Sequence, residues 1–91
     1  MEIKAFKIIV RGRVQGVWFR KYTKEKAESL KLKGFVQNMP DGTVYTEAEG
    51  SVHNLELFIN WLYTGSPLSH VTEVIAEPSP IQGFLSFEIR S

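Results

Sequence analysis

Hydrophobic and polar residues alternate over residues 3–11: Phe6, Ile8 and Val10 fall on one face, Ala5, Lys7, Ile9 and Arg11 on the other. A period of two predicts a strand with one face in a core. Gly12 and Gly16 bracket a short loop over 12–17. Over 19–33 the period lengthens to that of a helix, with Phe19, Tyr22, Ala27 and Leu30 on one face and Lys24, Glu25, Glu28 and Lys31 outside. Gly34, after a basic last turn, is placed to end that helix as its C′ residue. A short strand over 35–38, the turn Met39-Pro40-Asp41-Gly42 and renewed alternation over 43–49 make a hairpin. Ser51 is the expected N-cap of a second helix, whose stripe is Val52, Leu55, Phe58, Ile59 and Leu62 and which Gly65-Ser66-Pro67 stops. Residues 70–77 read as a strand of weaker alternation, 78–83 as a loop, and Leu85, Phe87 and Ile89 as the inner face of a last strand.

The order is strand, helix, strand, strand, helix, strand, with one further strand at the end. It predicts an α+β fold: a two-layer ferredoxin-like (split βαβ) sandwich. Its sheet is mostly antiparallel, with two helices on one face and water on the other. At 91 residues and 43% hydrophobic content, the chain reads as one domain over 1–91. The absence of cysteine excludes disulfide scaffolds, thiolate zinc sites and thiol catalysis. The opening Met1-Glu2-Ile3-Lys4 lacks the basic-then-apolar layout of a signal peptide, and no apolar run is long enough to span a membrane as a helix. The expectation is a cytoplasmic protein with no membrane partner.

The net charge of +1 hides a segregation. Residues 1–33 hold ten of the eleven basic residues and three acids, a net of +7, and residues 34–91 hold Arg90 against seven acids, a net of −6. Such a split marks either a basic arm for phosphate or nucleic acid, or two halves that neutralise each other. With the first strand central, Lys7 and Arg11 are expected to face Glu47 and Glu49 on one side and Glu73 or Glu77 on the other. Arg13, Arg20, Lys21 and Lys24 then remain around the loop, an excess sized for one phosphoryl group.

The loop is the first candidate for chemistry. Two glycines between a strand and a helix start let backbone N–H groups turn inward into an anion-binding concavity, to which the helix terminus adds partial positive charge. Arg20 sits in the first helical turn, where a cation is disfavoured unless an anion shares the site. Its planar fork suits two phosphoryl oxygens. No Gly-Lys-Ser/Thr follows the glycines, so this is not a Walker loop. Asn38, at the end of the second strand, is either a turn residue or a carboxamide that holds a water. His53 and His70 lack partners at metal-ligand spacing and read as surface residues, and Trp18 and Trp61 read as rim or packing residues.

Gly12-Arg13-Val14-Gln15-Gly16-Val17-Trp18-Phe19-Arg20 resembles the first signature of the acylphosphatase family, G-x-V-Q-G-V-x-[FM]-R. Gly34-Phe35-Val36-Gln37-Asn38, with Gly42-Thr43-Val44 and Gly50, resembles its second, and Gly65-Ser66-Pro67 with Ser69 resembles a further stretch of many members. The likeness runs along essentially the whole chain. It implies hydrolysis of the carboxyl–phosphate bond of small acyl phosphates, with inorganic phosphate as product and no metal or organic cofactor. It also implies Arg20 and Asn38 as catalytic residues, the first holding phosphate and the second orienting the attacking water. The implied phosphate-binding residues are Arg13, Val14, Gln15, Gly16, Val17, Trp18, Phe19 and Arg20. A monomer is expected. A rival reading is a non-enzymatic module of the RNA-recognition-motif kind, which shares the element order and which Lys33-Gly34-Phe35-Val36 superficially resembles. Its spacing of aromatics is absent, so no nucleic-acid partner is expected.

Overall fold

The computed structural model describes residues 2–91, so Met1 of the opening segment lies outside them. Seven elements follow in order: β1 (Ile3–Arg13), α1 (Phe19–Ser29), β2 (Lys33–Asn38), β3 (Val44–Ser51), α2 (Val52–Thr64), β4 (His70–Pro78) and β5 (Phe87–Arg90). The strands form one sheet in the order β4-β1-β3-β2-β5, with β3 at its centre and β1 an interior strand between β4 and β3. The β1–β3, β1–β4 and β2–β3 pairs are antiparallel, and β5 runs parallel to β2. This is the two-layer ferredoxin-like α+β fold that the periodicities predict.

The core lies between the helices and one sheet face. Ile8, Val10, Val36, Val44 and Ala48 from the sheet meet Phe19 and Ala27 of α1 and Leu55, Phe58 and Leu62 of α2. Phe58 also meets Phe87 of β5 edge-on, with ring centroids 6.1 Å apart. Each such large apolar side chain contributes roughly 1.5–3 kcal/mol by leaving water. Ser51 caps α2 as expected, its hydroxyl accepting from the Asn54 N–H at 3.3 Å.

Helix α1 is shorter than its periodicity suggests, and it is rotated. It buries Phe19, Thr23 and Ala27, whereas Tyr22 is 38% exposed. It ends at Ser29 because Lys31, not Gly34, takes the left-handed turn, at φ 58°. The Leu32 N–H then reaches the Ala27 carbonyl at 2.9 Å and the Lys31 N–H the Glu28 carbonyl at 3.0 Å, a Schellman closure. Gly34 serves β2 instead. At φ 150° its α-carbon packs so closely on β3 that a Cβ there would collide with the Glu47 carbonyl.

The second sheet face is not simply open to water. Residues 79–86 cross it as a strap that ends in β5. The strap starts with the Ser79 N–H on the Ala5 carbonyl at 3.0 Å and ends with the Gly34 N–H on the Ser86 carbonyl at 2.9 Å. Midway, the N–H groups of Gln82, Gly83 and Phe84 all donate to the Glu49 carboxylate. The strap leaves Glu49 and Phe35 each 6% exposed, with the Phe84 ring edge-on to Phe35 at 5.8 Å. Leu85, expected in the last strand, lies on the strap at 92% exposure, and β5 starts at Phe87.

This arrangement also corrects the expected charge pairing. Lys7 and Arg11 reach Glu77 and Glu73 on β4, at 4.0 and 3.3 Å. They do not pair with β3, where Glu47 accepts from the Tyr45 hydroxyl and Gln82 Nε2, both at 2.6 Å. Both ion pairs are half-exposed, so each contributes at most about 1 kcal/mol.

Candidate active site

The site begins where β1 leaves its regular register. A bulge between Arg11 and Gly12 carries the strand on to Arg13, which pairs with His70. Gly12, at φ 128°, passes so close to β4 that a Cβ would collide with the His70 carbonyl. Gly12 is therefore a strand residue rather than the start of the loop, and Arg13 is an exposed strand end.

The loop proper is Val14 to Trp18. Val14 and Val17 anchor it in the core at 1% and 6% exposure, and Gly16 turns it at φ 72°. Trp18 stands at the helix N-cap in the left-handed region, φ 62° and ψ 18°, with no side-chain cap. For a bulky residue that conformation costs about 1–2 kcal/mol. The rest of the molecule holds it there. Gln15 Nε2 donates to the Met39 and Thr43 carbonyls at 2.8 and 2.9 Å, tying the loop to the β2–β3 turn. From the other side the Ser66 hydroxyl donates to the Val17 carbonyl at 2.8 Å.

These ties engage the loop's carbonyl and amide side-chain groups and leave its N–H groups free. Among the described residues, no backbone N–H from residue 15 to residue 21 donates to a protein acceptor. The first turn of α1 contains no acid, so the positive end of the helix is uncompensated.

Two side chains complete the arrangement. Arg20 is half-buried, and its Nη1 donates to the Arg90 carbonyl on β5 at 3.1 Å. Asn38 ends β2, where its Oδ1 is buried without a hydrogen-bond partner. A buried carbonyl oxygen is costly unless something donates to it. Both residues line one cavity of about 410 Å³, together with Val14, Gly16, Trp18 and Phe19.

Arg13, Gln15 and Val17 are not on the cavity wall. Arg13 belongs to the strand end, Gln15 is engaged on the hairpin, and Val17 is in the core. Lys21, expected only as one of the cations around the loop, and Ile89, not expected from sequence at all, also line the cavity. Lys21 carried a signal, as the second cation in an acid-free first turn. Ile89 carried none, because only the parallel β2–β5 pairing, with Val36 opposite Ile89, brings it near Asn38.

The remaining candidates stay outside the site. His53 and His70 are exposed. Among the described residues, no three His, Cys, Asp or Glu side chains gather closely enough to hold a metal. Asp41 is occupied in the hairpin turn, where hydrogen bonds from the Thr43 hydroxyl and backbone N–H hold its carboxyl below the ordinary value of 3.8. The aromatic surface that an RNA-binding sheet needs is not available, since Phe35 is buried beneath Phe84.

Similarity to known proteins agrees with this geometry. The acylphosphatase family model matches residues 6–89. An acylphosphatase of Thermotoga petrophila is 44% identical over 88 residues, covering 97% of this chain and 98% of that one. The crystal structure of acylphosphatase from Bacillus subtilis has a TM-score of 0.94 at 38% identity, covering 99% of this chain and 100% of that one. An acylphosphatase structure from Coxiella burnetii also gives 0.94, at 33% identity, covering 97% and 93%. The family model and relatives at 33–44% identity over nearly the full length of both chains agree with the fold, and the chain belongs to the acylphosphatase family and hydrolyses acyl phosphates.

Proposed function

We propose that this hydrolase works by positioning and charge stabilisation alone. The phosphoryl group sits on the free N–H groups of the loop and the guanidinium of Arg20, and Asn38 orients the attacking water. The observation that supports this reading most is convergence. Loop residues whose backbone N–H groups lack acceptors, Arg20 and Asn38 with its unpartnered Oδ1 line one cavity with no acid in its lining.

The chemistry asks for little more. Phosphoryl transfer needs an in-line nucleophile and stabilisation of charge on the equatorial oxygens. The N–H ring and Arg20 supply the second. Asn38 Oδ1, accepting a hydrogen bond from water, supplies the first. Water forms the new P–O bond as the bond to the bridging oxygen breaks, and the acyl group departs as a carboxylate. A carboxylate is stable enough to leave without a general acid. A carboxamide does not take up a proton, so the proton of the water passes to a phosphoryl oxygen. In this reading the enzyme acts as a monomer in the cytoplasm and needs no metal.

The test is steady-state hydrolysis of benzoyl phosphate. Arg20→Ala should lower kcat/KM by about 10³-fold. Arg20→Lys should stay within roughly tenfold of that variant, since a point charge does not replace the fork. EDTA should leave the wild type unaffected. An Arg20→Ala enzyme with half the wild-type kcat/KM, or strong inhibition by EDTA, would overturn the assignment.

A further inference from the structure

The cavity is larger than the group its floor would hold. At about 410 Å³ it falls within the roughly 300–1,000 Å³ range of sites for small organic ligands. A phosphoryl group on the loop and Arg20 leaves most of that space free. Beside Arg20, Lys21 and Asn38, much of the wall is apolar. Val14 and Phe19 are buried, whereas Trp18 and Ile89 stand 68% and 44% exposed.

Trp18 is an unexpected residue for its position. A helix N-cap favours a short side chain with an oxygen, and a left-handed φ favours Gly or Asn. Trp18 meets neither preference, and its ring is not part of the hydrophobic core. An outlying backbone conformation beside a catalytic cavity is a reason to look for a role in the side chain it presents. The Lys21 ammonium lies over the indole at 5.8 Å from the ring centroid, which steadies the ring. Ile89 comes from a separate element, the edge strand that pairs with β2.

We propose that Trp18 and Ile89 form a subsite for the acyl group of the substrate, and that it favours flat, apolar acyl groups over small aliphatic ones. The proposal rests on the placement of the phosphoryl group given above. With phosphorus on the floor, the acyl carbon lies one bond beyond the bridging oxygen, so the acyl group extends into the free part of the cavity. There a planar ring stacks on the indole and meets the Ile89 methyl groups. Stacking of this kind adds to simple area burial, and an acetyl group is too small to gain from it.

The experiment compares kcat/KM for benzoyl phosphate with that for acetyl phosphate in the wild type and in Trp18→Asn, Trp18→Phe and Ile89→Ala. Asparagine tolerates the left-handed backbone, so Trp18→Asn removes the indole while keeping the loop's course. The benzoyl-to-acetyl ratio should fall about tenfold in Trp18→Asn, chiefly through KM for benzoyl phosphate, and about threefold in Ile89→Ala. Trp18→Phe should hold the ratio within about twofold of wild type. A ratio unchanged in Trp18→Asn, whether both activities fall together or neither falls, would overturn the subsite. Competitive inhibition by inorganic phosphate is measured in parallel for wild type and Arg20→Ala. If Arg20→Ala leaves that inhibition unchanged, the phosphoryl seat itself is wrong, whatever the ratio does.

Discussion

Two irregular segments of the chain carry runs of backbone N–H groups that no backbone carbonyl accepts, and they meet different fates. In the strap, the N–H groups of Gln82, Gly83 and Phe84 converge on the carboxylate of Glu49, which is 6% exposed. In the loop, no N–H from residue 15 to residue 21 finds an acceptor among the described residues. The two segments are alike in being irregular backbone that the rest of the fold must hold in place. They differ in what fills the space the donors face. Glu49 is an anion supplied from within, and it makes the strap a structural clamp. The loop faces a cavity with Arg20 and Lys21 and no acid in its helix turn, and so remains open to an anion from outside. In the proposed function the loop takes an outside anion because, unlike the strap, it is given none by the protein itself.

Several substitutions break or sharpen this contrast. On the open side, and next in size to the loss of Arg20, Asn38→Ala should lower kcat about 10²-fold while inhibition by inorganic phosphate stays within about twofold of wild type. In the proposed mechanism Asn38 acts on the water and not on the phosphoryl group. Equal losses in rate and phosphate affinity would assign it to phosphate binding instead. On the plugged side, Glu49→Ala leaves three donors without their acceptor and should lower stability to urea by roughly 1–3 kcal/mol. Glu49→Gln should lose less, because an amide oxygen still accepts. A Glu49→Ala protein as stable as wild type would mean that the strap does not depend on its carboxylate.

The smallest effect concerns pH, beside the strap. Tyr45 is pushed up to about 12 by burial, by its hydrogen bond to Glu47 and by the charge of that carboxylate. A phenol in the unfolded chain ionises near 10. Between these values the folded state holds a proton that the unfolded state has lost. The contribution of Tyr45 is therefore complete below about pH 10 and disappears as pH rises toward 12. An ultraviolet titration should show one late phenolate phase that Tyr45→Phe removes. Its persistence in that variant would place the late group elsewhere.

The open site was largely legible in the sequence and the plugged one was not, for a physical reason. The loop announces itself locally: glycines, an arginine in a helix turn without acids, and an asparagine at a strand end lie within two short segments. Glu49 sits in an alternating strand at a position that reads as solvent-facing, and only the strap, more than thirty residues later, buries it. The same limit explains Leu85, whose alternation with Phe87 suggests a strand although it lies on the strap. It also explains Ile89, which joins the cavity only through a parallel pairing. Helix α1 shows a subtler limit. Its period was readable, but Thr23 rather than Tyr22 faces the core, and its end is set by a Schellman closure at Lys31 that no glycine marks. Gly34 reads as a helix stop and instead answers to the backbone of a neighbouring strand.

The central claim is that the loop is the open segment and the strap the filled one. Titration of inorganic phosphate into the enzyme, followed by the backbone amide resonances in a two-dimensional nuclear magnetic resonance spectrum, tests it most directly. Saturable shifts should concentrate on the amides of residues 15–21 and the Arg20 guanidinium, with the amides of Gln82, Gly83 and Phe84 unmoved. Shifts confined to the strap, or a loop that does not respond to phosphate, would contradict it.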